Sequence, residues 1–250
     1  DQQPPIRYGV KKLRSTLNRA PIWKGLGGDF WQLRLWASLP DSALEHLSDL
    51  LFAIQETLSW PLQCLMNFIA AILKEEGTER PIGLTTSLYK LLLILMKDDI
   101  LSWQADFIGF WDSAVRGSSP LQAAMVRALQ GEVATSMQLE SVGVFWDMSK
   151  FYDSILLRKL LPLATEAGFP PRTLLLALEM HRSPRRFKEA KCVSDLVVPA
   201  NRSLVAGCLT SGDLSRCLLY PVLDKFHKEH KPNTVDTWID DLAQMMHGAG

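Results

Sequence analysis

A hydrophobic segment that ends in an acidic residue places the strongest restriction on how this 250-residue chain can fold. Residues 141–146 read SVGVFW, and this largely β-branched and aromatic composition predicts a β-strand that ends beside Asp147. Burying a lone carboxylate is costly, so Asp147 must be solvated, paired or bound to a metal ion. Its role therefore depends on whether a second acidic residue can lie next to it.

A second group of acidic residues lies near the end of the chain. Residues 235–246 predict two short strands joined by a bend at Asp240 and Asp241. If this hairpin and the strand before Asp147 are neighbours in one sheet, the three carboxylates converge at its edge. Mg²⁺ in phosphate chemistry takes one or two carboxylates plus substrate phosphates. Two aspartates in a turn are also typical of a solvated surface, so the pattern alone leaves both interpretations open.

Helical patterns surround these strands. Residues 40–60 predict an amphipathic helix with Asp41 or Ser42 as its N-cap, and residues 85–103 predict one helix capped near Thr85–Ser87. Residues 185–200 predict two short strands around a turn. The order of elements predicts an α+β fold with helices on one face of a small antiparallel sheet. The remaining predicted helices are one from the Ser119 cap to a stop at Gly131, Ile155–Ala167 with a cap at Asp153 and Ser154, Arg172–His181, and 210–230 with a kink or division at Pro221.

The formal net charge is zero, so the total charge does not predict a strongly basic nucleic-acid-binding protein. Basic residues nevertheless cluster near the N-terminus and at residues 182–191, where Arg185 and Arg186 are candidates for contacting a phosphate backbone. A solvated basic surface is an equally good interpretation of each cluster.

The four cysteines lack C-x-x-C spacing, which favours a reducing compartment over a zinc site or disulfide framework. Apolar runs are too short to span a membrane, and no signal peptide is visible. We therefore expect an intracellular protein, nuclear or cytoplasmic and not secreted, with no membrane partner.

Four segments, in this order, resemble motifs of reverse transcriptases, especially those of non-LTR retrotransposons and group II introns. Residues 72–92 resemble the fingers motif, with a lysine and then an arginine ahead of a helix. Residues 144–155, VFWDMSKFYDSI, resemble the first palm motif, and residues 202–223 resemble the second. Residues 238–243, WIDDLA, are similar to the third palm motif. Four motifs in the correct order over about residues 60–245 make the resemblance specific.

The resemblance implies an α+β polymerase right-hand fold, with helical fingers, a palm built on a small antiparallel sheet, and the thumb missing. The implied division is an N-terminal helical extension (1–59), fingers (60–140), the first part of the palm (141–162), a fingers/palm insertion (163–200) and the second part of the palm (201–250), truncated before the thumb.

The same resemblance implies an RNA-directed DNA polymerase that adds dNTPs to the 3′-hydroxyl of a DNA primer on an RNA template. Two Mg²⁺ ions, with Mn²⁺ as an alternative, would act at Asp147, Asp240, Asp241 and the backbone carbonyl of Met148. Tyr152 would pack beneath the sugar and exclude a ribose 2′-hydroxyl, which implies selection of deoxynucleotides. The remaining implied contacts are to the incoming nucleotide from Lys74, Arg80 and Gly207, and to the template backbone from Arg116 and Ser118.

The chain also departs from the family pattern. Ala206 stands where a glutamine that positions the template–nucleotide pair is usual, and Leu209 and Gly212 stand where prolines are usual. Two alternatives therefore stay open: a catalytically decayed module that binds nucleic acid, and an RNA-templated RNA polymerase. The three aspartates argue against long decay, and Tyr152 with the RPI segment weighs against the RNA polymerase.

Overall fold

The computed structural model describes residues 4–23, 25–73, 79–115, 117–189, 192–199, 201–230, 233–239 and 241–248. The chain divides into two compact units. The first unit comprises Asp1–Trp103 and Tyr152–Ser211, and the second comprises Gln104–Phe151 and Gly212–Gly250.

Helices account for most of the regular structure in the described residues, and two short 3-10 helices cover Leu33–Ser38 and Leu62–Cys64. The α-helices are α1 (Val10–Asn18), α2 (Asp41–Thr57), α3 (Ser87–Leu95), α4 (Lys97–Phe107), α5 (Pro120–Ser136), α6 (Phe151–Ser154), α7 (Leu157–Glu166), α8 (Pro171–Arg182) and α9 (Ser211–Glu229). The strands are β1 (Asn67–Leu73), β2 (Glu79–Leu84), β3 (Glu140–Asp147), β4 (Arg185–Glu189), β5 (Cys192–Val193), β6 (Asn233–Trp238) and β7 (Asp241–Gly248).

The predicted amphipathic helix is confirmed as α2, but its predicted capping is wrong. Leu44, Leu51 and Ile54 are buried along one face of α2. The N-cap residue is Pro40, which makes no side-chain cap bond. The Asp41 carboxylate instead pairs with Arg14 of α1, so a tertiary ion pair takes the place of the local cap.

The helix predicted over residues 85–103 is two helices, because the chain turns at Met96. Asp98 and Asp99 lie in the first turn of α4, where negative charge stabilises a helix N-terminus. At the start of α3, the backbone N–H of Ser87 donates to the carboxylate of Asp29 over 2.6 Å.

Three further helix predictions have mixed outcomes. The Ser119 cap of α5 is confirmed, since its hydroxyl accepts a bond from the backbone N–H of Gln122. The predicted stop at Gly131 is wrong, because α5 continues to Ser136. The predicted division at Pro221 is also wrong, as α9 runs through it, while the alternative of a kink there stays a prediction. The helix predicted from Ile155 begins at Leu157 without a side-chain cap. The Asp153 carboxylate instead accepts a hydrogen bond from the Ser203 hydroxyl.

Two sheets take the place of the single predicted antiparallel sheet. The first unit holds a four-stranded sheet of order β2-β1-β4-β5, in which β1 and β4 are parallel and the other pairs antiparallel. The second unit holds a three-stranded antiparallel sheet of order β3-β7-β6. The predicted α+β class is thus retained, with an additional mixed sheet whose strands come from the predicted fingers (60–140) and the predicted fingers/palm insertion (163–200).

Each unit has its own apolar core. In the first, α3 is almost entirely buried and packs with α1, α2 and α8. The core of the second unit forms where α9 meets β6 and residues 107–111. Among the described residues, no helix combines the length and apolar character needed to cross a membrane. The largest fully buried side chains of the first core include Leu13, Leu17, Leu44, Leu51, Tyr89, Leu91, Leu92, Leu176 and Met180.

Candidate functional site

The candidate site lies at the end of the three-stranded sheet, where β3 ends and β7 begins. Asp147 is the last residue of β3, Asp241 is the first residue of β7, and the antiparallel register pairs them directly. Directly opposite residues in such a pair have Cβ atoms about 4.5–5.5 Å apart. The prediction that these strands are neighbours is therefore confirmed for Asp147 and Asp241. Asp240 lies outside the described residues.

The pairing of Asp147 with Asp241 is unfavourable unless something compensates it. Both residues are exposed, so neither contributes its side chain to a core. Like charges directly opposite each other across a strand pair are destabilising. Packing therefore gives no reason for two acids at this register position, whereas binding a cation between them would remove the repulsion.

The turn next to these carboxylates is strained. Trp238 of β6 pairs with Asp241 of β7, and Ile239 directly follows Trp238, where the chain leaves β6. Two-residue hairpin turns commonly need positive φ angles, which Asn and Gly adopt readily. Ile239 has φ +61°. A β-branched residue in this conformation is an outlier, and such strain clusters at functional sites.

An open cavity of about 530 Å³ adjoins the two carboxylates. Arg127 of α5 contributes to its wall and is held by an ion pair with Asp236 of β6, 2.8 Å from Nε to Oδ2. The cavity therefore combines acidic, aromatic and basic side chains beside one strand edge. Its lining residues are Pro120, Ala124, Arg127, Phe145, Trp146, Asp147, Trp238, Asp241 and Leu242.

Residues 111–113 anchor the β6–β7 hairpin at the outer edge of β6. The backbone N–H of Thr237 donates to the carbonyl of Trp111, and that of Ser113 donates to the carbonyl of Thr237, each over 2.9 Å. These bonds fix β6 one residue before Trp238, where the turn begins. The Ser113 hydroxyl donates to Asp236, which strengthens the same attachment.

A buried ion-pair network, which no sequence pattern predicts, supports this anchor. The Arg216 side chain is 11% exposed, and it contacts Asp112 at 2.7 Å and Asp213 at 2.6 Å. Tyr220 also donates its hydroxyl to Asp112. Burial raises the pKa of Asp213, while Arg216 opposes the shift. Asp112 and Arg216, which lies on the helix predicted over 210–230, were the available signals, but nothing in the sequence pairs residues so far apart in the chain.

The donor chemistry of the site fits Mg²⁺. Asp147 and Asp241 supply carboxylate oxygens, which suit a hard divalent cation, and Mg²⁺ needs only one or two of them when phosphates supply the rest. The described part of the chain holds no cluster of three or more candidate metal ligands, and Asp240 is outside that part. Met148, predicted to add a carbonyl oxygen, directly follows Asp147.

Of the predicted nucleotide-binding residues, Arg80 lies on β2, Gly207 lies on the loop that contacts β2, and Tyr152 lies on α6. Arg80 is exposed on β2, and Lys74 is outside the described residues. Gly207 has φ +89°, and the preceding Ala206 accepts a 2.6 Å bond from the backbone N–H of Gly83 on β2. The loop that carries Gly207 is thus docked on the strand that carries Arg80.

The described residues predicted to contact nucleic acid are less accessible than Arg80. Arg185 is 9% exposed, and its guanidinium donates to Ser203 and to the carbonyl of His181, so the structure places it inside the first unit and not against a phosphate backbone. Arg186 is half-buried on β4. The Ser118 hydroxyl donates within its own turn, to Val115 over 2.7 Å. Arg116 lies outside the described residues.

By overall fold, the chain is similar to apo telomerase from Candida tropicalis. A structure of that telomerase truncated from the C-terminal domain aligns with a TM-score of 0.52 and 12% identity, covering 89% of this chain and 52% of that one. A second structure of the apo telomerase aligns with a TM-score of 0.51 and 12% identity, covering 83% and 44% of the two chains.

The chain thus spans about half the length of these telomerase chains. At such low identity the likeness shows the fold alone, a polymerase-like arrangement of helices and small sheets. No protein-family model matches the sequence, and no curated protein matches it.

Proposed function

We propose that the chain contains the fingers (60–140) and palm (141–162 and 201–250) of a reverse transcriptase from a mobile element. It would add dNTPs to a DNA primer 3′-hydroxyl on an RNA template, inside the cell. The observation that supports this most is the register that sets Asp147 opposite Asp241, close to the strained residue Ile239. The similarity to telomerase, a reverse-transcriptase-related polymerase, supports the same class.

Under this proposal, Asp147, Asp240 and Asp241, with the Met148 carbonyl, would hold two divalent cations, Mg²⁺ or Mn²⁺. Bound there, such ions would stabilise the attacking and leaving oxygens of the phosphoryl transfer. The protein itself would contribute mainly positioning and electrostatic stabilisation. Lys74 and Arg80 would bind the triphosphate, since a point charge and a planar guanidinium both suit phosphate oxygens.

Primer extension tests the proposal. The chain would be incubated with a DNA primer on an RNA template and with dNTPs or rNTPs, with Mg²⁺ or with EDTA. We expect dNTP incorporation that requires Mg²⁺ and falls by about 100-fold or more in Asp147→Asn and Asp241→Asn, because each variant removes charge stabilisation from the transition state. Asp106→Asn, an exposed acid on α4, is the matched control and should retain activity.

Other outcomes would favour the alternatives. Preferential rNTP incorporation would indicate an RNA-templated RNA polymerase. Binding of the primer–template without incorporation would indicate a decayed nucleic-acid-binding module. Incorporation that survives both aspartate substitutions would refute the proposed metal site.

The assignment of Tyr152 has its own test. Replacing it with alanine should lower the preference for dNTPs over rNTPs, because the ring would no longer exclude a 2′-hydroxyl. Competition between the two nucleotide classes in single-nucleotide extension measures this preference. An unchanged ratio would show that Tyr152 is not the sugar gate.

A further inference from the structure

Arg185 is an unusual residue of the first unit because its charge is buried. It is 9% exposed and begins β4. Its Nη1 donates to the Ser203 hydroxyl over 2.8 Å, and its Nη2 donates to the carbonyls of Ser203 and His181 at 3.0 and 3.1 Å. A buried charge is costly unless hydrogen bonds compensate it. These three hydrogen bonds to two residues fix the position and orientation of the guanidinium.

Ser203 is the second unusual residue, because its backbone is strained. Its φ is +80°, a conformation that side chains rarely adopt. Its hydroxyl accepts the bond from Arg185 and donates to Asp153 Oδ1 over 2.9 Å. Arg185, Ser203 and Asp153 therefore form a continuous chain from β4 to the segment that carries Tyr152. We call these three residues the Arg185 clamp.

Backbone bonds extend the clamp to Tyr152. The backbone N–H of Leu204 donates to the Tyr152 carbonyl, and that of Ser203 donates to the Ile155 carbonyl, each over 2.9 Å. The strained Ser203 and its neighbour Leu204 thus bond to the chain on the two sides of Asp153. Such strain persists only where the surroundings over-determine the conformation.

On the other side, the same loop is held toward Gly207. The backbone N–H of Val205 donates to Nδ1 of the fully buried His181 over 3.0 Å, and the Val205 carbonyl accepts from Ser211 over 2.8 Å. Ala206 is bonded to Gly83. An added Cβ at Gly83 would lie 1.9 Å from the Val205 side chain, so the loop and β2 pack without spare room. Residues 203–206 are therefore fixed one after another up to Gly207.

We propose that the Arg185 clamp is a positioning device that holds Tyr152 and the Gly207 loop in one relative geometry. This inference rests on the proposed function: by fixing Tyr152, the clamp sets how strictly the site distinguishes deoxyribose from ribose. Arginine suits the task because its planar fork makes several oriented bonds, whereas lysine offers a single nitrogen. A steric gate needs this precision, since a misplacement of about 1 Å can cost about 100-fold in rate.

Three variants test the clamp against a matched control. Arg185→Lys keeps the charge but not the fork, and Ser203→Ala removes the hydroxyl. Ser203→Gly also removes the hydroxyl while accommodating the positive φ, so it separates the bond from backbone strain. Arg202→Lys makes the same exchange as Arg185→Lys at an exposed position next to Ser203 and is the control.

The first measurement is the ratio of kcat/KM for a dNTP to that for the matching rNTP. We expect this ratio to fall about threefold or more in the three clamp variants, because a threefold change corresponds to the free energy of about one hydrogen bond. The ratio should stay constant in Arg202→Lys. A ratio unchanged in all three, in a protein where Tyr152→Ala lowers it, would overturn the role in sugar selection.

The second measurement does not depend on polymerase activity. Amide hydrogen exchange of Leu204 and Val205, in the folded protein without substrate, should accelerate in Arg185→Lys relative to Arg202→Lys. Equal exchange in the two variants would overturn the clamp itself. If the unaltered protein incorporates no nucleotide, the proposed function fails, and this comparison still decides whether the clamp exists.

Discussion

At the scale of single residues, Asp147 and Asp241 lie where packing does not require them. Both are exposed and face each other across β3 and β7. In metal-free buffer, Asp241→Asn should raise the free energy of unfolding by about 0.2–1 kcal/mol, because it removes a like-charge pair. Urea denaturation with EDTA measures this, with Asp106→Asn as control. A loss of stability would mean that the carboxylate has a structural partner and would contradict our interpretation.

The buried His181 should make the free energy of unfolding depend on pH. Burial, followed by the positive charge of Arg185, lowers the pKa of His181 to about 3. The unfolded chain has a histidine pKa of about 6.5, so below that pH the unfolded state binds a proton that the folded state excludes. The contribution of His181 is fully present above about pH 6.5 and is lost as the pH falls toward 3.

The neutral variant His181→Gln can still accept the bond from Val205 through its side-chain oxygen. It should lose less free energy of unfolding than the unaltered protein between about pH 6.5 and pH 4. Urea denaturation at a series of pH values checks this difference. The pKa values of Asp99 and Asp213, which burial raises, affect both proteins alike and cancel. Parallel pH profiles would refute the assignment.

At the scale of elements, α9 is joined to residues 109–115 by the network around Arg216. Arg216→Met leaves Asp112 and Asp213 buried without their cation and should lower the free energy of unfolding by about 3–5 kcal/mol. Lys225→Met on the same helix breaks only an exposed pair with Glu229 and should cost less than about 0.5 kcal/mol. Urea denaturation compares them, and equal losses would show that the network contributes no stability.

Helices were easier to predict than sheets because the signals for a helix lie close together in the chain. The apolar spacing of α2 and the Ser119–Pro120 start of α5 are local signals, since helical bonds join residues four apart. β1 and β2 were missed because ERPIGL contains a proline and NFIAAIL lacks strict alternation. The parallel contact of β1 with β4 depends on residues distant in the chain.

At the scale of the whole molecule, the described cysteines are all free thiols. Cys192 is exposed, whereas Cys208 and Cys217 are buried, and burial raises the pKa of Cys217 to about 12. A thiol reagent should therefore label Cys192 first in the native protein, because the reactive form is an accessible thiolate. Mass spectrometry after brief labelling checks the order, and Cys192→Ser should lose the fast phase. Early labelling of Cys217 would contradict the fold of α9.

Local patterns in the sequence are enough to predict the helical periodicity, the strand before Asp147, the acidic hairpin and the resemblance of four ordered segments to polymerase motifs. All of these depend on residues close together in the chain. In contrast, the folded chain was needed to show that Asp147 faces Asp241, that Asp112 pairs with Arg216, and that Arg185 is buried against Ser203. Those contacts depend on strand register and on the burial of side chains that are far apart in the chain, and the spacing of neighbouring residues does not predict either.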